Sequence, residues 1–324
     1  MAQSAVTTTV AEDMAAAISA TGLEAAAAPT AETPVEIVDH KPSIFESYSE
    51  AWHSRRLCLQ IVVTFFLQRF SRYRLGIFWL FFQTFMSLLG YSLIFGGGVF
   101  NVKAPNGMPY FLYMIVGMMG WQLFQGTTMI AAMSFIRMKS FIRDVHIPLA
   151  LIPIAGSGVA LARVVVMLIA YVIGVVYFWI HDGKLYAQVQ PKYLFFSAAG
   201  LFLCAMLAWG ISMWTAPMTA HTRDVRFVLR YILPFWIFIT PVLYPIDHLR
   251  GTTRLLAELN PLSSPVEMAK VGLVGAGSVR LYAAIWSVAI IAVLFTSGVW
   301  FIGRFGQRIL RAEDEEQGDE EMMM

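Results

Sequence analysis

The side chains able to do chemistry in this chain are aromatic rings and arginines. Phe78, Phe82 and Phe85 recur at helical spacing, as do Tyr231, Phe235 and Phe238, and Tyr113, Trp121 and Phe124 form a third stripe around Gly117. Rings on membrane helices ordinarily face lipid or pack on neighbouring helices. On a lumen they would stack against sugar faces. With few fixed polar partners, a long amphipathic chain could slide past them without a deep binding well. The Tyr231–Phe238 stripe is the strongest candidate for that role. Basic residues gather at Arg69, Arg72 and Arg74, and again at Arg137, Lys139 and Arg143. The second group, with Asp144 and His146, reads as a solvated loop or as a docking segment for a cytosolic partner.

Catalytic chemistry is poorly provided for. Gly96-Gly97-Gly98 lacks the Gly-Lys-Ser/Thr that a phosphate cradle requires, so ATP, if used, is bound by another chain. There is no HExxH, no Gly-x-Ser-x-Gly and no Cys/His ligand spacing, so neither a metal nor a cofactor is expected here. Cys58 and Cys204 read as small buried hydrophobes. Arg163 is the ionisable residue within a span. It reads as an interhelical or snorkelling partner, with a place in a translocation path as the alternative. Asp182, Asp247, Glu258 and Glu267 lie in external connections with nothing to pair them, which leaves little for a membrane-embedded transferase.

The elements that must position these groups are membrane helices. The chain is 58% apolar and 14% charged, against about 25% charged in soluble domains. It reads as an all-α polytopic membrane protein with six transmembrane helices. Residues 1–34 contain no Lys or Arg, so they are no signal peptide, and 1–40 reads as a disordered cytosolic extension. Residues 41–74 read as an interface segment. Ser43 and Glu46 form a capping box, and Ile44, Tyr48 and Trp52 give an amphipathic stripe. The helix Ser43–Gln68 is too short in apolar length to span. The spans lie within 75–305: Leu75–Gly97, Pro109–Met133, Ile154–Trp179, Tyr193–Pro217, a fifth inside His221–Pro245, and Leu281–Ile302. Residues 306–324 form an acidic cytosolic tail, expected to be disordered.

The fifth span is anomalous. Tyr231 to Tyr244 is 14 residues without a charge, where a straight crossing wants about 20. Pro234 and Pro241 interrupt it. Such a span is tolerated inside protein or along a cavity. The connection Ile246–Arg280 carries two short helices, Arg254–Leu259 and Ser264–Val274. Asn260-Pro261 separates them, and Ser264 and Glu267 suggest a capping box with Pro265 at the first helical position. Together they read as a re-entrant or rim hairpin. Fifteen Lys and Arg fall on one side of this topology and seven on the other, which places both termini in the cytosol.

Several stretches combine into a resemblance. They are Arg72-Tyr73-Arg74-Leu75-Gly76 with Trp79, Tyr110-Phe111 through Gly117 and Trp121, Val145-His146-Ile147-Pro148, Arg223-Asp224-Val225-Arg226, Pro241-Val242-Leu243-Tyr244-Pro245, and Leu259-Asn260-Pro261-Leu262. In this order and spacing, over residues 40–305, the chain resembles ABC-2-type polysaccharide export permeases. These are the membrane subunits that export O-antigen, capsule or teichoic acid. Two departures stand out: Asp144 replaces a usual basic residue, and the N-terminal extension is long.

The resemblance implies a homodimer in the bacterial cytoplasmic (inner) membrane. Its partners would be a second copy, two cytosolic ATP-binding subunits carrying ATP and Mg, a lipid-linked polysaccharide and membrane lipids, but no nucleic acid. Arg69, Arg72 and Arg74 would receive the lipid headgroup. Arg137, Lys139, Arg143, Asp144 and His146 would couple to the ATPase. Pro241, Tyr244, Pro245, Asn260 and Pro261 would belong to an external gate. The chain itself would be a transport subunit and not an enzyme. The alternatives are an ABC-2 exporter of a small lipid or drug and, from another class, the membrane-embedded transferase.

Overall fold

The structure, a computed structural model, describes residues 62–63, 78–98, 100–137, 149–188 and 190–322. All belong to the unit Lys41–Met324. The described residues are mostly helical, with no strand among them. Apart from residues 62–63, the interface segment lies outside the described residues, as do Arg69, Arg72, Arg74, Lys139, Arg143, Asp144 and His146.

Helix α1, Phe78–Tyr91, continues as a π-helical turn Ser92–Gly97. Leu80, Thr84 and Leu88 are its buried stripe, four residues apart, as one face of a 3.6-residue period requires. Helix α2, Tyr110–Ala132, is buried on every side over most of its length. A helix apolar all round belongs inside a bundle. Helix α3 is the short Ser134–Arg137. Helices α4, Leu151–Ala155, and α5, Gly158–Asp182, form the third apolar run and end at Gly183, which takes the left-handed conformation (φ 67°). Helix α6, Pro191–His221, has proline in its first turn. Helices α7, Arg223–Ile239, α8, Gly251–Leu259, α9, Ser263–Val274, and α10, Leu281–Met322, complete the chain.

Helix α6 is the hub. It packs against α10, α9 and α2, while α2 packs against α5 and α9. Its buried positions are mostly small: Ser197, Gly200, Cys204, Ala205, Ala208, Gly210, Ser212 and Ala216. Small side chains let backbones approach where lipid gives no hydrophobic drive between helices. Gly272 of α9 needs this closeness, since a Cβ there would lie 2.5 Å from the Ser197 Cβ and from the Tyr193 carbonyl oxygen.

Four helical segments are long and apolar enough to cross a membrane: Phe78–Gly97, Leu151–Asp182, Pro191–His221 and Leu281–Gly306. The remaining two expected spans are helices α2 and α7. Helix α7 is 17 residues, about 26 Å at 1.5 Å per residue. The expected disordered tail is overturned in its backbone: α10 runs unbroken to Met322. The residues after Arg311 include five Glu and three Met, good helix formers that can extend a helix already nucleated within the core.

Candidate functional site

Helix α7 presents two unlike faces. Leu233 and Ile237 are buried against the core, whereas Tyr231, Phe235 (69% exposed) and Phe238 stand out on the other side with Ile232 and Ile239. Pro234 sits inside the helix and deprives the Arg230 carbonyl of its intrahelical partner. The helix stops at Thr240, whose backbone turns extended.

A polar net fixes that stop to the hairpin. The Trp236 indole N–H donates to Asn260 Oδ1 (3.1 Å), Asn260 Nδ2 donates to Thr240 Oγ1 (2.8 Å), and the Leu262 N–H donates to Asn260 Oδ1 (3.1 Å). Tyr110 donates to the Leu243 carbonyl (2.7 Å) and Tyr113 to the Tyr244 carbonyl (3.2 Å). The Tyr244 hydroxyl closes back on the Phe238 carbonyl (2.9 Å).

Helix α9 carries a charged pair into this net. Glu267 (1% exposed) and Lys270 (0%) form a 3.0 Å ion pair. Lys270 Nζ also donates to Tyr113 Oη (2.8 Å) and to the Pro241 carbonyl, and stands 4.1 Å from the Tyr113 ring centroid. Glu267 Oε2 accepts the Ser278 N–H (2.9 Å). Burial pushes the Lys270 ammonium below its ordinary range, and Glu267 pushes it back. Gly117 makes the approach possible, since a Cβ there would meet the Val242 carbonyl oxygen at 2.5 Å. On α8, Arg254 donates to Glu258 (2.9 Å) and Asp247 (3.0 Å), and Tyr282 donates to Glu258.

Residues 56–274 match the ABC-2 type transporter family. The chain belongs to that family. An ABC-2 chain of this kind is the membrane subunit of an ABC exporter, working with a separate ATP-binding subunit. It is similar to the O-antigen export system permease protein RfbA of Myxococcus xanthus, with 23% identity over 217 residues, covering 66% of this chain and 79% of that protein.

In this ABC-2 subunit the residues singled out by sequence separate into groups. Phe78, Phe82 and Phe85 are exposed on α1, with Phe78 and Phe82 stacked at 6.1 Å. Tyr113, Trp121 and Phe124 are instead enclosed in the core. They present no face to a passing glycan, because α2 is packed on all sides. Phe124 lies edge-on to Trp236, 5.5 Å away. Pro241 and Tyr244 are brought together around Tyr113 and Lys270, and Asn260 is tied to Thr240 just before them. Pro245 precedes the turn Ile246–His248, and Pro261 sits between α8 and α9. Arg137 ends α3.

Asp247 and Glu258 share Arg254, and Glu267 holds Lys270. One reading of the acids is corrected. The Ser264–Glu267 capping box does not form: α9 begins at Ser263, Pro265 is its third residue, and no side chain caps it. Glu267 points to Lys270 and Ser278 instead. The signal that could have found this is a Glu and a Lys three apart in an otherwise apolar helix. Arg163 has an interhelical partner, donating to Gln83 Oε1 of α1 (3.3 Å).

Proposed function

We infer that this subunit exports a lipid-linked or lipid-anchored polysaccharide across the bacterial inner membrane, as a six-span homodimer driven by two cytosolic ATP-binding subunits. The observation that carries this reading is helix α7. Its uncharged part, Tyr231–Ile239, is well short of the ~20 residues a lipid crossing wants, yet it turns Tyr231, Phe235 and Phe238 outward. A short helix with its other face anchored in the core suits the wall of a cavity between two copies. Aromatic rings on that wall suit sugar faces, and the exposed Phe78, Phe82 and Phe85 of α1 supply a second such wall.

In this reading both termini are cytosolic, and the α7 end with the α8–α9 hairpin forms the outer mouth. Arg69, Arg72 and Arg74 receive the anionic lipid headgroup. Arg137, Lys139, Arg143, Asp144 and His146 take up ATPase motion. The similarity to a protein named for O-antigen export supports the cargo class.

The test is ATPase activity of the copurified complex with candidate glycolipids, beside surface polysaccharide in cells carrying Arg72→Ala/Arg74→Ala. Stimulation by a lipid-linked glycan and loss of surface glycan are expected. Stimulation by a small amphiphile alone would assign the chain to small-lipid or drug export.

A further inference from the structure

Lys270 has no place in the export reading so far, yet it is among the largest fully buried side chains. Its ammonium has three N–H donors, and three acceptors surround it: Glu267 Oε1, Tyr113 Oη and the Pro241 carbonyl. A neutral amine would have one donor too few, so this geometry fits the charged form. The three acceptors come from three places: the hairpin helix itself, the core helix α2, and the residue at which the chain leaves α7. Through Tyr113 the same node reaches the Tyr244 carbonyl. Two carbonyls of the Pro241–Pro245 segment, those of Pro241 and Tyr244, are therefore tied to Lys270, the first directly and the second through Tyr113.

The bond to the Pro241 carbonyl differs from the other two in kind. That carbonyl follows the end of α7 and has no ladder partner of its own. It is bound to α9 by this contact and not by regular structure. Glu267 keeps the charge compensated whether or not Pro241 is bound, so releasing Pro241 costs one hydrogen bond and leaves no naked ion.

We propose that Lys270 is a positioning residue for transport: a latch that holds the end of α7 against the hairpin and must let go of Pro241 for the mouth to open. This rests on the export reading for its purpose, but not for its test. Leu243, 1% exposed, lies in the latched segment and reports its opening.

The experiment uses the full chain in lipid nanodiscs, with Leu243→Cys placed in a Cys58→Ser/Cys204→Ser background, and follows labelling by a membrane-impermeant maleimide. Glu267→Gln/Lys270→Met keeps both side-chain lengths, removes both charges together and leaves Pro241 without its donor. Labelling is expected to quicken on the order of ten-fold, the scale of one lost hydrogen bond to a charged group. Tyr113→Phe, which leaves the ion pair intact, is expected to give a smaller increase in the same direction. A merely structural Lys270 would leave Leu243 covered in both variants while the protein stayed monodisperse, and labelling at the background rate in both overturns the latch. Because labelling does not depend on cargo, faster labelling in the variants, beside an unaltered subunit that exports no glycan, would keep the latch and sink the polysaccharide reading. Unchanged labelling beside normal export would do the reverse.

Discussion

Asn260→Ala should be the most damaging small substitution in the α7–hairpin junction. Asn260 is 7% exposed and takes part in three hydrogen bonds, with Trp236, Thr240 and the Leu262 N–H. Each is worth about 1 kcal/mol net, and a buried donor left without an acceptor costs about 1–3 kcal/mol. Alanine strands two donors, the Trp236 indole and the Leu262 amide. Thr240 keeps its own bond to the Trp236 carbonyl (3.0 Å) and so loses less. The expected cost is roughly 2–4 kcal/mol. Trp236→Phe removes one donor together with its bond and should cost about 1 kcal/mol. The assay is reversible unfolding in mixed lipid–detergent micelles, comparing both variants with the parent. If Asn260→Ala proved no more costly than Trp236→Phe, Asn260 would not be the centre of the junction.

The aromatic stripes give an opposed pair of outcomes. Trp121→Ala, made in the core, should lower stability by about 3–5 kcal/mol. Phe235→Ala, on the exposed face of α7, should leave stability within about 0.5 kcal/mol while reducing surface polysaccharide. Gly272→Ala should cost about 1–3 kcal/mol by overpacking α9 on α6, read as reduced yield of monodisperse protein.

The helices were largely legible because apolar runs bounded by charge and proline leave little freedom. Helix α6 starts at Pro191, α7 starts right after Thr222, and α9 ends at Gly275, each close to its sequence mark. The site was less legible because its partners are distant in sequence. Lys270 and Tyr113 are 157 residues apart, and no local rule joins them. The capping-box pattern misdirected Glu267, since tertiary contact with Lys270 outweighed a local bond to the helix start. The rings of α2, like those of α7, fall on one face by helical spacing, and only packing tells them apart. The glycines Gly117, Gly120 and Gly126 along α2 were the available sign of close neighbours on more than one side.

The pairing of α2 with α9 also sets a schedule for synthesis. Tyr113 leaves the ribosome 157 residues before Lys270, which at ~5–20 residues per second is a wait of roughly 8–30 s. For that interval α2 lacks one of the helices that enclose it, although α5 and α6 are made before α9. The phenol of Tyr113 lacks the Tyr244 carbonyl for nearly as long. The nascent subunit thus passes through a stage in which one side of a core helix is still open, and α9 closes that side late in translation.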